Sequence, residues 1–330
     1  MKRILSLSLV LFLCLGLLYS AAQSEQKPAE TVVLKLGHGA QPTHPLQLTS
    51  ERFAAEVKEK TQGRVEIQVY PNIQLGEERA MVEGLQLGTV DFVITSTGPT
   101  VSFVPETGVI DLPFLFTSSE HAYKVLDGEI GQSLLAKFEP KGIIGLSFME
   151  NGWRSISANK KITVPADLKG LKVRTMQNKV HMSAFAALGA SPLPMAWGEV
   201  YTSLQQGVID GQENPPVILA TNALWEVQKY FALTKHFYTP YLFLMSKSTT
   251  SKVSAEDMAI IKAAAKDATN YQRNLMQQQE SGYIDTLKKN GMEVYDVDRS
   301  LFQAATKSVY DEYQSVYGKD LIDKIIALGK

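Results

Sequence analysis

VEIQVYPNIQLGEERAMVEGLQLGTVDFVIT, residues 65–95, decides the fold class. Val65, Ile67 and Val69 alternate with polar residues as a half-buried strand does. Glu77 to Leu87 then spaces its apolar residues for one face of a helix, Gly88 stops it, and Val90 to Thr95 reads as a second strand. Outward from this unit the alternation continues. A strand is predicted over residues 31–36, helical spacing at Leu46, Phe53, Ala54 and Val57, a helix from about Ser119 to Phe138, and a strand over 143–148. Strands separated by helices predict an α/β fold built on a largely parallel sheet with crossover helices.

Leu85-Gln86-Leu87-Gly88-Thr89-Val90-Asp91 has an echo in Leu204-Gln205-Gln206-Gly207-Val208-Ile209-Asp210. Each reads as a helix end, a glycine suited to a left-handed cap, and a strand start, which suggests two similar lobes. Such junctions are also common in α/β folds. Farther on, Ser254 can cap a helix that runs without Gly or Pro from Ala255 to Ser281 and, across Gly282, to Asn290. At 1.5 Å per residue it would reach roughly 50 Å, enough to bridge two lobes; a break at Gly282 is the alternative.

Met1-Lys2-Arg3, the apolar run Ile4–Leu18 and then Tyr19-Ser20-Ala21-Ala22 follow the order of a secretory signal peptide, and the run is short for a membrane anchor. Cleavage after Ala22, with a polar leader over 23–30, would remove Cys14, the one cysteine, and with it any thiol or disulfide chemistry. It would also remove Lys2 and Arg3 from a chain of formal charge −1, so the mature protein carries no basic field for nucleic acid or anionic lipid. Roughly 300 residues remain, the length of two ordinary domains.

Catalytic and cofactor signatures are absent from the sequence. His38, His44, His121, His181 and His236 stand at no metal-ligand spacing, so no metal is expected. Gly37-His38-Gly39 lacks the rest of a dinucleotide fingerprint, and neither a Walker-type loop nor a Gly-x-Ser-x-Gly elbow occurs, so no cofactor is expected. The polar series Arg154, Arg174 and Asn214, with Trp197 among them, offers two planar forks and a carboxamide suited to a carboxylate.

From about residue 31 to the C-terminus the chain resembles the dicarboxylate-binding type of solute-binding protein of tripartite ATP-independent periplasmic (TRAP) transporters. The resemblance rests on Tyr70-Pro71 with Gln74-Leu75-Gly76, Asp111-Leu112-Pro113-Phe114, Asn151-Gly152-Trp153-Arg154 and Asp167-Leu168-Lys169-Gly170-Leu171-Lys172-Val173-Arg174. It rests above all on Gly189-Ala190-Ser191-Pro192 running on to Gly211-Gln212-Glu213-Asn214-Pro215. It implies a two-lobed periplasmic binding protein fold, with the ligand cleft between lobes and the long C-terminal helix bridging them. Lobe I would hold 31–151 and 240–279, and lobe II 152–239 and 280–330.

The resemblance assigns Arg174 to the ligand carboxylate, Arg154 as a second cation and Asn214 as a neutral donor. Trp197 would line the cleft or belong to the core. Thr95-Ser96-Thr97-Gly98-Pro99, which carries the further candidates Ser96 and Thr97, ends a strand where amino-sugar-acid binders of the family carry charges, and the match gives Ser96 and Pro99 instead. The Ser96 and Thr97 hydroxyls would meet a sugar, hydroxy or keto acid, or simply cap the strand. His38, Glu78 and Tyr238 match positions at the cleft edge. The expected protein is a periplasmic monomer that closes on a small carboxylate and delivers it to TRAP membrane permease subunits. The competing class is a secreted enzyme acting on an acidic sugar through Glu78, Glu213 or His236; a sensor-linked binder of the same fold is a third.

Overall fold

Two strands of unusual length organise the protein, seen here in a computed structural model that describes residues 31–330. The signal-peptide and leader readings lie outside these residues. β1 (Val32–His38), α1 (Pro45–Lys60), β2 (Val65–Tyr70), α2 (Glu78–Leu87) and β3 (Phe92–Ser96) form the predicted alternation, with β1 parallel to both β2 and β3. After α3 (Thr97–Thr100), α4 (Ser119–Asp127) and α5 (Glu129–Ala136), β4 runs unbroken for 16 residues, Ile143–Ala158. β5 (Lys172–Thr175), α6 (Lys179–Ala187), β6 (Ser191–Pro194), α7 (Val200–Gln205), β7 (Gly211–Asn214) and α8 (Pro216–Thr221) lead to β8, 17 residues, Tyr230–Ser246.

β4 and β8 lie antiparallel along their whole length and are shared by both lobes. Ile143–Glu150 faces Pro240–Ser246, whose other edge binds β3; Gly152–Ala158 faces Tyr230–Thr239 and gives its other edge to β7. The register slips between Glu150 and Gly152, where Gly152 takes φ +111°, a left-handed conformation that any side chain would strain. The sheet order is β2-β1-β3-β8-β4-β7-β5-β6, with β9 (Glu293–Asp296) on β8. The sheet is therefore mixed rather than largely parallel. β4 extends ten residues past the expected end, because its second half reads as polar sequence until β7 and β8 flank it.

The helix expected over 119–138 is two helices. Gly128 is extended there (ψ −170°), and a Cβ on it would lie 2.7 Å from the Lys124 carbonyl. The echo seen in sequence is structural. Gly88 and Gly207 take φ +73° and +70°, and each following aspartate caps a strand: Asp91 accepts the Lys35 amide at 2.9 Å and Asp210 the Lys172 amide at 2.8 Å.

α9 (Ala255–Lys289) is continuous through Gly282, with Ser254 accepting the Asp257 amide at its N-terminus. Its 35 residues span about 50 Å. Met258, Ile261 and Ala265 pack with Phe53, Phe92 and Phe243 in the first lobe, and Leu287 packs with Leu219 and Phe231 in the second. Midway, Gln272 bonds both the amide and the carbonyl of Glu150, and Arg273 grips the Phe148 carbonyl at 2.6 Å and Asp127. α10 (Arg299–Ala305), α11 (Lys307–Tyr317) and α12 (Lys319–Ala327) finish the chain. Tyr310 donates to the Pro113 carbonyl, Glu312 accepts from Ser183, and His121 bonds the Ile325 carbonyl, so these helices touch segments far apart in sequence. No helix of the described residues is long and apolar enough to cross a membrane.

Candidate ligand-binding site

The carboxyl ends of β1, β3, β5 and β7 converge beside the crossing of β4 and β8, which is where open α/β sheets form their binding crevices. Gly39 and Ala40 follow β1, Ser96 ends β3, Arg174 and Met176 stand at the end of β5, and Asn214 ends β7; all line one cavity of about 40 Å3.

Arg174 is the residue whose environment is most telling. It is 4 % exposed and makes no ion pair among the described residues. Its Nε and Nη2 both donate to the Met195 carbonyl, at 3.0 and 2.8 Å, which leaves the Nη1 edge for the cavity. Trp197 lies under the guanidinium, 5.8 Å from ring centre to Cζ. Burial and then the neighbouring Arg154 push its pKa down to about 10. A buried cation without a counter-ion is costly, and a carboxylate from solution would relieve that cost.

Arg154 also lines the cavity, but its charge is already matched. Nε bonds Glu213 Oε2 at 2.5 Å, and Nη2 bonds Glu213 Oε1 at 2.8 Å and the Glu213 carbonyl at 2.6 Å, with both side chains fully buried. The expected second free cation is thus half of a buried pair. Burial would raise the Glu213 carboxyl, but Arg154, His181 and His236 together outweigh it and hold the group well below the usual carboxylate range. His236 bonds the same carboxylate at 3.3 Å. His181, stacked on Phe237 at 4.0 Å, lies 3.8 Å from both Glu213 and Asp111; burial opposes its charge, but these two acids raise its pKa. Asp111 in turn accepts from Thr97 and Asn178, each at 2.6 Å. A buried ionic chain therefore backs the cavity wall and joins Asp111 to Asn178, 67 residues apart in sequence.

The same cavity has an acidic lining residue, Glu78, whose charge acts on Arg174. Glu78 Oε1 accepts the Ser96 amide at 2.9 Å and the Thr95 hydroxyl at 3.1 Å, and the Ser96 hydroxyl donates to both carboxylate oxygens at 3.1 and 3.0 Å. Ser96 thus lines the cavity with its proton turned to Glu78 rather than offered to a ligand. Asn214 lines it too, with one amide hydrogen on Gln212 Oε1.

Three of the residues picked from sequence do not reach the cavity. Thr97 is bound to Asp111, His38 turns into α1 to bond Gln47 at 3.0 Å, and Tyr238 donates to Glu150 while packing edge-on against Trp153 and Phe116. All three are buried, and each has a partner within its own layer that a sequence cannot display. The cavity also takes in Asn151, Met176, Ile218, Asn222 and Tyr241, which sequence reasoning missed. Asn151 lay inside a quoted motif, and Met176 is two residues past Arg174. Tyr241 was beyond reach because β8 was not foreseen. Among the described residues, no group of three His, Cys, Asp or Glu is placed to hold a metal.

A two-lobed α/β protein with a cleft at its strand ends, and a buried arginine waiting for an anion, is a binding protein for small solutes. The sequence model of the bacterial extracellular solute-binding proteins, family 7, matches residues 36–316, and the chain belongs to that family. It is 44 % identical to a TRAP periplasmic solute-binding protein from Bordetella bronchispeptica whose structure has density assigned to pantoate. That match covers 90 % of this chain and 99 % of the other, at a TM-score of 0.87. It is 43 % identical to one from a Polaromonas species bound to D-erythronate, with the same coverage and a TM-score of 0.88. It is also 36 % identical to the 2,3-diketo-L-gulonate-binding periplasmic protein YiaO of Escherichia coli, over 82 % of this chain and 84 % of that one.

Proposed function

We propose that the protein captures a small organic acid by docking one carboxylate on Arg174, closes its lobes around it, and delivers it to TRAP membrane subunits. The observation that carries this reading is the Arg174 guanidinium, buried, without a counter-ion, and presenting its one uncommitted edge to a cavity. Pantoate and D-erythronate in the two similar structures are both hydroxy monocarboxylates, which supports a hydroxy or sugar acid as the class. Export to the periplasm with cleavage of residues 1–22 belongs to the same reading, as does action as a monomer.

The lobes in this reading are 31–151 with 240–279 and 152–239 with 280–330, with α11 and α12 gripping both. They bend where β4 and β8 cross at Glu150–Gly152 and Thr239–Pro240. Ligand drives closure because it touches both walls only when they meet. Binding without turnover is the reading to favour: of Glu78, Glu213 and His236, the candidate acids and bases of a hydrolase, only Glu78 lines the cavity, while Glu213 and His236 bond each other in the ionic chain.

Arg174→Ala tests it. Removing the charge-assisted pair costs about 1.5–3 kcal/mol, so calorimetry should show affinity for the acid falling by at least about tenfold. The acid itself comes from a thermal-shift panel of sugar, hydroxy and keto acids, in which a ligand at a hundred times its Kd adds about 2.7 kcal/mol. Affinity within a factor of about three of the unaltered protein would remove Arg174 from its role.

A further inference from the structure

Resting on the Arg174 reading, we propose that Glu78 makes the site selective for a monocarboxylate bearing hydroxyls and excludes acids with a second carboxylate. Only two cations line the cavity among the described residues, and Glu213 neutralises one of them. The free positive charge is Arg174. On the facing wall Glu78 has no ion pair among the described residues; it is held by the Thr95 hydroxyl and by the Ser96 amide and hydroxyl, all neutral donors. The cavity is therefore polarised, with one charge of each sign that has no direct ion pair among the described residues, Arg174 and Glu78, each within the other's field.

A ligand carboxylate at Arg174 sends the rest of the molecule toward Glu78. Groups that donate protons, such as the hydroxyls of a polyol chain, find an acceptor there, because Glu78 Oε2 takes only the Ser96 hydroxyl. A second carboxylate finds like charge a few ångströms away in a partly dry site. The Ser96 hydroxyl cannot offset it, since its proton is already directed at Glu78. Glu78 lies in the first turn of α2, so its backbone is fixed by that helix, while the Ser96 amide sets the carboxylate's direction.

Acids that differ only at the far end test this. 2,3,4-Trihydroxybutanoate and 2,3-dihydroxybutanedioate share a skeleton and exchange CH2OH for a carboxylate; a six-carbon aldonate and aldarate form a second pair. Titration calorimetry on the full mature chain should show at least about thirtyfold preference for the monoacid in the better-binding pair. Glu78→Gln, which keeps the shape and one acceptor oxygen for the Ser96 amide and Thr95 hydroxyl but removes the charge, should cut that preference by at least about tenfold through a gain in diacid affinity. Ser96→Ala, which leaves the charge, should preserve the preference. Equal binding of diacid and monoacid by the unaltered protein, or a folded Glu78→Gln protein with the preference unchanged, would overturn the Glu78 assignment while leaving Arg174 untouched. Failure of the unaltered protein to bind any acid would overturn both.

Discussion

Gly198→Ala should weaken ligand binding about fivefold without changing which ligand is preferred. The Gly198 amide donates to Glu77 Oε1 at 3.1 Å, joining positions 121 residues apart across the cleft mouth. A second tie, Gln41 Nε2 to Asn222 Oδ1 at 3.2 Å, crosses on another side. A Cβ on Gly198 would lie 2.3 Å from Glu77 Oε1 and 3.0 Å from Ile73 Cδ1, so the closed lobes cannot keep the bond and accept the methyl. A hydrogen bond to a charged acceptor is worth about 1.5–3 kcal/mol, and solvent screening at this exposed rim brings it to about 1 kcal/mol. Since only the closed form makes the bond, about 1 kcal/mol shifts the closing equilibrium about fivefold, and apparent affinity follows. Calorimetry on Gly198→Ala, Glu77→Gln and the double variant reads the effect. The double variant should lose little more than either single one, because the two residues share one bond. Unchanged affinity in Gly198→Ala, or full additivity in the double variant, would refute the latch.

Two further outcomes follow, one from the buried His44 and one from the exposed Gly282. Burial, and next the neighbouring His38, push the His44 pKa down to about 3 from an unfolded value near 6.5, so the folded protein holds this ring neutral while the unfolded chain takes up a proton. The proton-richer unfolded state makes stability fall as pH drops below about 6.5, and one such histidine removes about 2 kcal/mol between pH 7 and pH 5. His44→Asn keeps an oxygen for the Leu46 amide it caps and should flatten the melting-temperature profile over that window by this amount; a parallel profile would refute it. Gly282→Ala should raise the melting temperature by roughly 2 °C, since a Cβ there meets nothing within 4 Å and alanine favours the helix by on the order of 1 kcal/mol; calorimetric scanning that shows a drop would refute the unbroken α9.

How much of this was legible depended on whether a residue's partner was local. The alternation over 65–95, the capped run from Ser254 and the paired turns at Gly88 and Gly207 are periodic or near-neighbour signals, and they read directly. β4 and β8 are long because each is flanked by strands distant in sequence, so their extent could not be seen in the run of residues itself. The site divides the same way. Arg174, Trp197, Asn214, Ser96 and Glu78 were named at positions that line the cavity. What the sequence withheld was which of them were already spoken for: Arg154 by Glu213, 59 residues away, and the Ser96 proton by Glu78.

That distinction decides the chemistry of the cleft. With two free arginines the cavity would favour a dianion, and a four-carbon diacid would be the natural ligand. Glu213 changes the sum. By taking up the charge of Arg154 it leaves a single cation without an ion pair, and by binding His236 and facing His181 it ties that neutralised wall to the Asp111–Asn178 bond. The pair then acts as a rigid, nearly neutral backing against which Arg174 is the sole positive feature, its Nε and Nη2 held by the Met195 carbonyl so that Nη1 is aimed and little side-chain freedom remains to be lost on binding. Glu78 supplies the opposite pole on the same cavity. In the function proposed above, a ligand with one carboxylate and a trailing row of hydroxyls matches both poles at once, and only when the lobes are together, so the charge pattern that would select the ligand would also couple its binding to closure.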